Sequence, residues 1–76
     1  MARSVSGPRL REARKSAGLS AEQLAISVGR SAYSIHEYEL GRVTPGTAVL
    51  IAIADTTGRT VDELLDETAE EVADAA

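Results

Sequence analysis

The stretch that decides the fold is SAEQLAISVGRSAYSIHEYELG, Ser20–Gly41. Its opening Ser-Ala-Glu-Gln fits a capping box, in which the Ser20 hydroxyl accepts a hydrogen bond from the Gln23 amide and the Gln23 side chain reaches back. Apolar side chains then follow at helical spacing, namely Leu24, Ala25 and Val28. Because Gly29 comes directly after this stripe, it is the predicted end of the helix.

A second helix begins near Ser31 and ends at Gly41, so only Gly29-Arg30 separates it from the first. This short link predicts a helix-turn-helix layout, in which the second helix can enter the major groove of DNA. Short corners between helices also occur in many helical bundles. The layout by itself therefore leaves DNA binding and plain helix packing as alternatives.

Three further helices are predicted around this pair. The first begins at Pro8, and its apolar and basic positions recur at helical spacing as Leu10, Ala13, Arg14 and Ala17. The fourth spans Thr47–Thr57 around the run VLIAIA, and a second capping box at Thr60–Glu63 opens a short fifth helix through Leu65. No alternating run or hairpin dipeptide indicates a strand. The sequence thus predicts an all-α bundle of five helices with an acidic C-terminal tail.

The predicted organisation has three parts: a flexible N-terminal arm over residues 1–7, a helix-turn-helix domain over 8–66, and an acidic tail over 67–76. Net charge differs along the chain, with +4 on residues 1–18, −1 on 19–45 and −7 on 46–76. A basic end and an acidic end favour two surfaces with different partners. The tail has three alternative roles: a solubilising end, a docking segment for a protein partner, or a strip that competes with DNA for the basic arm.

Composition limits the function classes. A chain of 76 residues forms one domain, and Tyr33 and Tyr38 are its only aromatic residues, so the predicted core is aliphatic. The absence of cysteine and the single histidine exclude disulfides and Cys- or His-rich zinc sites, and we expect neither a metal nor a cofactor. No apolar run approaches the ~18 residues of a membrane span, and no signal-peptide region is visible, so we expect a cytoplasmic location without a membrane partner. Seven arginines against one lysine favour a bacterial source.

A set of residues between Leu10 and Leu65 lies at characteristic spacings along the chain. It comprises Leu10, Arg14, Gly18-Leu19-Ser20, Gln23-Leu24-Ala25, Gly29, Ser31, Ile35, Glu39, Gly41, Pro45, Leu50, Ile53-Ala54, Gly58 and Val61-Asp62-Glu63-Leu64-Leu65. In this set the sequence resembles the lambda-repressor-like (Xre/Cro) helix-turn-helix family. The resemblance implies a five-helix fold and a repressor-type transcriptional regulator. It also implies double-stranded DNA and a second copy of the chain as partners.

Helical periodicity separates two faces of the helix Ser31–Leu40. One face carries Ile35, Tyr38 and Glu39, and the other carries Tyr33, His36, Glu37 and Leu40. The resemblance implies an ion pair between Arg14 and Glu39 that ties the first helix to the third. The alternative is a solvated Glu39 and an Arg14 that merely adds to a basic face.

The resemblance also marks positions that contact DNA. Base contacts are expected from Ala32, Tyr33 and Glu37, since apolar groups can pack on a thymine methyl and a carboxylate can accept from a cytosine amino group. Backbone contacts are expected from Arg30, Ser31 and Arg42, with the arm residues Arg3, Arg9 and Arg11 as additional cations. The alternative for Glu37 is a solvated residue without a DNA contact.

Candidate dimer contacts follow the fourth helix, at Val61, Leu64 and Leu65, and their alternative role is to close the core of the domain. A different class of function also fits the acidic balance: a protein-interaction module that docks on a toxin, a sigma factor or a polymerase. No nucleophile–base pair, phosphate-binding glycine loop or carboxylate dyad is visible, so we do not expect an enzyme.

Overall fold

The computed structural model of the protein describes residues 2–68. The elements in chain order are strand β1 (Ala2–Val5), helices α1 (Gly7–Ser16), α2 (Ala21–Val28), α3 (Ala32–Glu39) and α4 (Thr47–Thr57), a 3-10 turn (Asp62–Leu64), and strand β2 (Leu65–Thr68). Within this part of the chain, no helix is long and apolar enough to cross a membrane.

The helix ends follow the local signals in the sequence. The predicted capping box of α2 is present: the Gln23 amide donates to the Ser20 hydroxyl at 3.0 Å, and the Ser20 amide donates to Gln23 Oε1 at 2.8 Å. Gly29 then adopts a left-handed conformation with φ of 71° and ends the helix. Helix α1 begins after Ser6, whose hydroxyl accepts from the Arg9 amide at 3.2 Å. Capping of this kind stabilises a helix by about 1 kcal/mol.

The core is mainly aliphatic, as the composition predicts, but it also includes the aromatic ring of Tyr38. Its largest fully buried side chains are Leu10, Leu24, Ile35, Ile53 and Leu64. Each comes from a different element, namely α1, α2, α3, α4 and the 3-10 turn. Burial of one such side chain contributes about 1.5–3 kcal/mol. All four helices are therefore joined through one contact region, which holds α3 in place.

The predicted fifth helix is wrong in extent. The capping box is formed, since the Thr60 amide donates to Glu63 Oε1 at 2.8 Å and the Glu63 amide donates to the Thr60 hydroxyl at 3.1 Å. These bonds hold the Glu63 carboxylate in its charged form and lower its pKa. The helix nevertheless stops after one 3-10 turn, because Leu65 adopts extended backbone angles and begins β2.

Strands β1 and β2 form an antiparallel ribbon, so the all-α prediction is also corrected. Val5 lies opposite Leu65, and the Ser6 amide donates to the Leu64 carbonyl at 2.9 Å. Arg3–Asp62 and Arg9–Asp66 ion pairs, at 2.7 and 2.9 Å, join the same two regions of the chain.

The ribbon changes the predicted organisation. Residues 2–5 belong to the folded unit rather than to a flexible arm, and β2 includes the first two residues of the predicted tail. The sequence lacked a signal for this pairing because each strand has only four residues and the partners are about sixty residues apart. The remainder of the predicted tail, residues 69–76, lies outside the described residues.

Candidate nucleic-acid interface

The turn between α2 and α3 is short and closed by hydrogen bonds. The Arg30 amide donates to the Ala25 carbonyl at 2.9 Å, which completes the last turn of α2 after Gly29. Ser31 then caps α3, since its hydroxyl accepts from the Ser34 amide at 3.1 Å. Because these bonds fix the conformation of the turn, the direction of α3 is set by α2 and by the core beneath both helices.

The two faces of α3 differ as the helical periodicity predicts. Ile35 and Tyr38 are buried in the core. On the opposite side Tyr33 is 72% exposed, Leu40 is 63% exposed directly after the helix, and His36 is also exposed. An α-helix about 10–12 Å wide fits the major groove of B-DNA, which is about 12 Å wide. The exposed face of α3 is therefore free to approach base edges.

The Arg14–Glu39 ion pair is present and largely buried. Arg14 Nε donates to Glu39 Oε2 at 2.7 Å and Nη2 donates to Oε1 at 3.1 Å, while Nη1 donates to the Leu19 carbonyl at 3.0 Å. The two side chains are only 10% and 6% exposed. The hydrogen bonding that Arg14 donates to the Glu39 carboxylate is the main cause that raises the pKa of Arg14. Glu39 thus connects α1 to α3 and has no open side toward a base.

Glu37 lies in a setting that the sequence did not predict. Its side chain is only 13% exposed, and Arg42 Nη1 donates to its Oε2 at 3.3 Å. The Glu37 carbonyl also accepts from the Arg42 amide at 3.0 Å. The chain folds back over this residue after Gly41, which has a left-handed φ of 78°. Glu37, an expected base contact, and Arg42, an expected backbone contact, therefore form an ion pair with each other.

The remaining candidate contacts lie around the start of α3. Ala32 is half-buried and packs against the core, whereas Ser31 and Arg30 are exposed. Arg30 Nη1 donates to the Gly29 carbonyl at 3.1 Å, which holds its side chain beside the turn. The structure thus brings Arg30, Ser31 and Tyr33 to one end of α3.

The candidate dimer residues separate into two groups. Leu64 is 1% exposed and belongs to the core, so its assignment to a dimer interface is corrected. The 3-10 turn points this side chain inward, where it closes the base of the bundle. Val61 and Leu65 are half-buried and pack against the edge of the core.

The three additional cations, Arg3, Arg9 and Arg11, lie in two different places, which the sequence did not predict. Arg3 and Arg9 form ion pairs with Asp62 and Asp66, on the side of the ribbon. Arg11 instead lines a depression of about 310 Å³ between α1 and α3. Arg11 and Lys15 are spaced i, i+4 on α1, a spacing that indicates one helix face but not which neighbour that face meets.

A buried ion-paired scaffold, a short turn and an exposed second helix together define a helix-turn-helix protein. A family model described as a helix-turn-helix domain matches this sequence, and the match covers residues 7–67. The chain belongs to this family, in its lambda-repressor-like (Xre/Cro) branch of DNA-binding regulators.

Solved structures agree with this assignment. The restriction-modification controller protein C.AhdI from Aeromonas hydrophila is 31% identical, with a TM-score of 0.71, over 76% of this chain and 88% of that chain. The P22 c2 repressor, solved in complex with the synthetic operator 9T, is 28% identical, with a TM-score of 0.73 and the same coverage. The clp gene regulator ClgR from Corynebacterium glutamicum is 26% identical, with a TM-score of 0.73, over 76% of this chain and 62% of that chain. No curated protein matched the sequence.

Proposed function

We propose that the protein is a sequence-specific DNA-binding transcriptional regulator of the repressor type, which inserts the helix from Ser31 to Leu40 into the major groove. The observation that carries this proposal is the contrast across α3. Its inner face is held by the core and by Glu39, while Tyr33 and Leu40 project from its outer face into solvent. A rigid helix with an open face can present side chains to base edges in a fixed register.

Base reading is assigned to Ala32, Tyr33 and Glu37. We assign the Tyr33 ring to a contact with a thymine methyl group near the start of the helix, with the Ala32 methyl beside it. Arg42 uses only Oε2 of Glu37, which leaves Oε1 to accept a hydrogen bond from a cytosine amino group. A carboxylate held in this way has a defined position, which favours selectivity over affinity.

Backbone contacts are assigned to Arg30, Ser31 and Arg42. Arg30 and Arg42 lie at opposite ends of α3, so they can meet phosphates on either side of the bases that the helix reads. Two to four phosphates neutralised per bound unit correspond to a slope of log K against log salt of about −2 to −4. The net charge of −4 argues for a value in this shallow range.

We also assign a homodimer to the functional form. Val61 and Leu65, which lie half-buried at the edge of the core, are the candidate contacts. Two recognition helices in such a dimer would read half-sites about 34 Å apart, which is one helical turn of DNA. The structure of the P22 c2 repressor with its synthetic operator supports the DNA assignment by similarity.

The test is selection of bound sites from a random duplex library, followed by a gel shift on the enriched duplex. We expect a shared motif from the wild-type chain and a changed or weakened motif from the Tyr33→Ala and Glu37→Ala variants. If no sequence is enriched and micromolar protein shifts no duplex at low salt, the DNA assignment is wrong. Docking on a protein partner would then be the better hypothesis.

A further inference from the structure

A groove runs along the junction of α1 with the C-terminal half of α3. It consists of two adjoining depressions of about 310 and 380 Å³ that share Arg11 and Glu39. The first is also lined by Arg14, His36 and Leu40, and the second by Pro8, Glu12 and Lys15. The groove therefore adjoins the exposed face of α3 through His36 and Leu40, two residues to which no DNA contact has been assigned.

The charge of the groove comes from Arg11 and Lys15. Arg14 and Glu39 line the same surface, but they neutralise each other through two hydrogen bonds. Among residues 3–66, neither Arg11 nor Lys15 forms an ion pair, whereas Arg3 and Arg9 are each paired with an aspartate. Glu12 also lines a separate depression with Arg9 and Arg59, so it lies on the ridge between the two. The groove is thus net positive on a chain that is acidic as a whole.

The position of the groove matches the path of a DNA strand. Successive residues of a helix are about 100° apart, so His36 and Glu37 lie on different flanks of the outer face of α3. On one flank, Glu37 is ion-paired with Arg42. On the other flank, His36 borders the groove that Arg11 lines. A helix seated in the major groove has the phosphates of one strand on each side. Cations therefore lie where both strands would pass.

We propose that the Arg11–Lys15 groove binds backbone phosphates of the DNA strand opposite to the one that Arg42 meets. This inference rests on the proposed function, since it assumes that α3 enters the major groove. Arg11 lies nearest to α3 and contacts the phosphate at the His36–Leu40 edge, and Lys15 meets a neighbouring phosphate one turn along α1. These contacts are independent of base sequence and compensate for the weak electrostatic attraction of α3 itself.

The experiment compares Arg11→Ala, Lys15→Ala and the double variant with the wild-type chain on a fluorescent duplex that carries the enriched site. Binding is measured over a series from 50 to 200 mM salt. For each bound copy of the chain, a single variant should make the slope of log K against log salt less steep by about 0.9, and the double variant by about twice that. Over this fourfold salt range, a change of about 0.9 in the slope makes the loss of affinity about 3.5-fold smaller than that of the wild type.

Arg59→Ala is the matched control, because it removes one positive charge on the other flank of α1, beside Arg9 and Glu63. Its slope should stay within about 0.3 of the wild-type slope, since no phosphate contact is lost. If Arg59→Ala changes the slope as much as Arg11→Ala, or if neither groove variant changes it, the groove is not a phosphate site. Thermal melting verifies that all variants are folded.

A second measurement identifies the contact from the DNA side. Single neutral methylphosphonates are placed along both strands of the enriched duplex. At one or two positions the substitution should weaken the wild-type chain but not Arg11→Ala, because that variant has already lost the contact. Equal weakening of both proteins at every position would overturn the assignment of the groove as a phosphate site. A wild-type chain that binds no duplex would instead overturn the proposed function.

Discussion

The two faces of α3 show how one short helix serves two purposes. Its inner face holds Ile35, Tyr38 and Glu39 against the core and against α1, with every polar atom of the Arg14–Glu39 pair engaged at close distance. Its outer face presents Tyr33 and Leu40 without such support. The same contrast separates the partners of the two glutamates of α3, since Glu39 is paired with the buried Arg14 and Glu37 with the exposed Arg42. Substitutions on the inner face should change stability, and those on the outer face should change binding.

The largest effect is expected from Glu39→Gln. The substitution leaves the buried Arg14 guanidinium without a charged partner, and breaking a buried pair in this way costs about 3–5 kcal/mol. A domain of 76 residues has a total stability of about 4–11 kcal/mol, so the substitution would remove about a quarter of that stability or more. Urea unfolding followed by circular dichroism measures the change. A loss below about 1 kcal/mol would show that the pair is not structural.

The next effect is expected from Gly7→Ala, where α1 meets the end of α3. A Cβ at this position would overlap the backbone carbonyl oxygen of Glu39, so the two helices must move apart. Such overpacking costs about 1–3 kcal/mol in the free energy of unfolding.

Gly46→Ala is the control for this substitution. It adds the same methyl group with no atom within 4 Å, and it should cost less than about 1 kcal/mol through the weaker cap of α4. Equal losses from both variants, measured by thermal unfolding, would show that the approach of α1 to α3 is not tight.

A third effect concerns the outer face, and it is an effect on binding. Tyr33→Ala should leave the free energy of unfolding within about 0.5 kcal/mol, because the side chain is exposed. Affinity for the enriched duplex should fall about 5–10-fold, or about 1–1.4 kcal/mol, through loss of the contact with a thymine methyl.

Tyr33→Phe separates the ring from the hydroxyl. It should retain most of the affinity if the ring packs on the methyl group, and fluorescence anisotropy compares the two variants. A duplex with deoxyuridine in place of the contacted thymine lacks only that methyl, and it should weaken the wild-type chain but not Tyr33→Ala. If deoxyuridine leaves wild-type affinity unchanged, the thymine contact is wrong.

A small effect on stability is expected from Glu37→Gln. Its partner Arg42 is 67% exposed, and ion pairs of this kind contribute about 0–1 kcal/mol. The same chemical change should therefore cost several kcal/mol at Glu39 and less than about 1 kcal/mol at Glu37, when both are measured by urea unfolding. Comparable losses at the two positions would remove the distinction between the faces. Site selection with this variant should show a change at one base pair, since an amide can donate as well as accept.

Local signals predicted much of the scaffold. The capping box at Ser20, the end of α2 at Gly29 and the buried positions of α3 were all predictable, because neighbouring residues decide them. The second capping box was predicted correctly as well, but the length of the helix after it was not. A cap determines where a helix begins. Competition between the next turn and the pairing of Leu65 with Val5 determined where it ended.

The candidate site was predicted less completely than the scaffold. Periodicity placed Tyr33 on the outer face and Glu39 on the inner face, as the structure has them. It could not show that Arg42 returns to Glu37, because that depends on the path of the chain after Gly41. Periodicity puts Arg9 and Arg11 on opposite flanks of the buried stripe of α1, but it could not show that the Arg11 flank meets α3 and the Arg9 flank meets the ribbon.

The sequence by itself determined the helix-turn-helix, the mainly aliphatic core and the inward position of Glu39 on α3, because caps, glycines and helical spacing act over a few residues. Only the tertiary structure decided the ribbon between β1 and β2, the Arg42–Glu37 pair and the Arg11–Lys15 groove. Each of these three depends on how distant segments meet. Their interactions become favourable only after the core has brought those segments together and offset the entropy of ordering them.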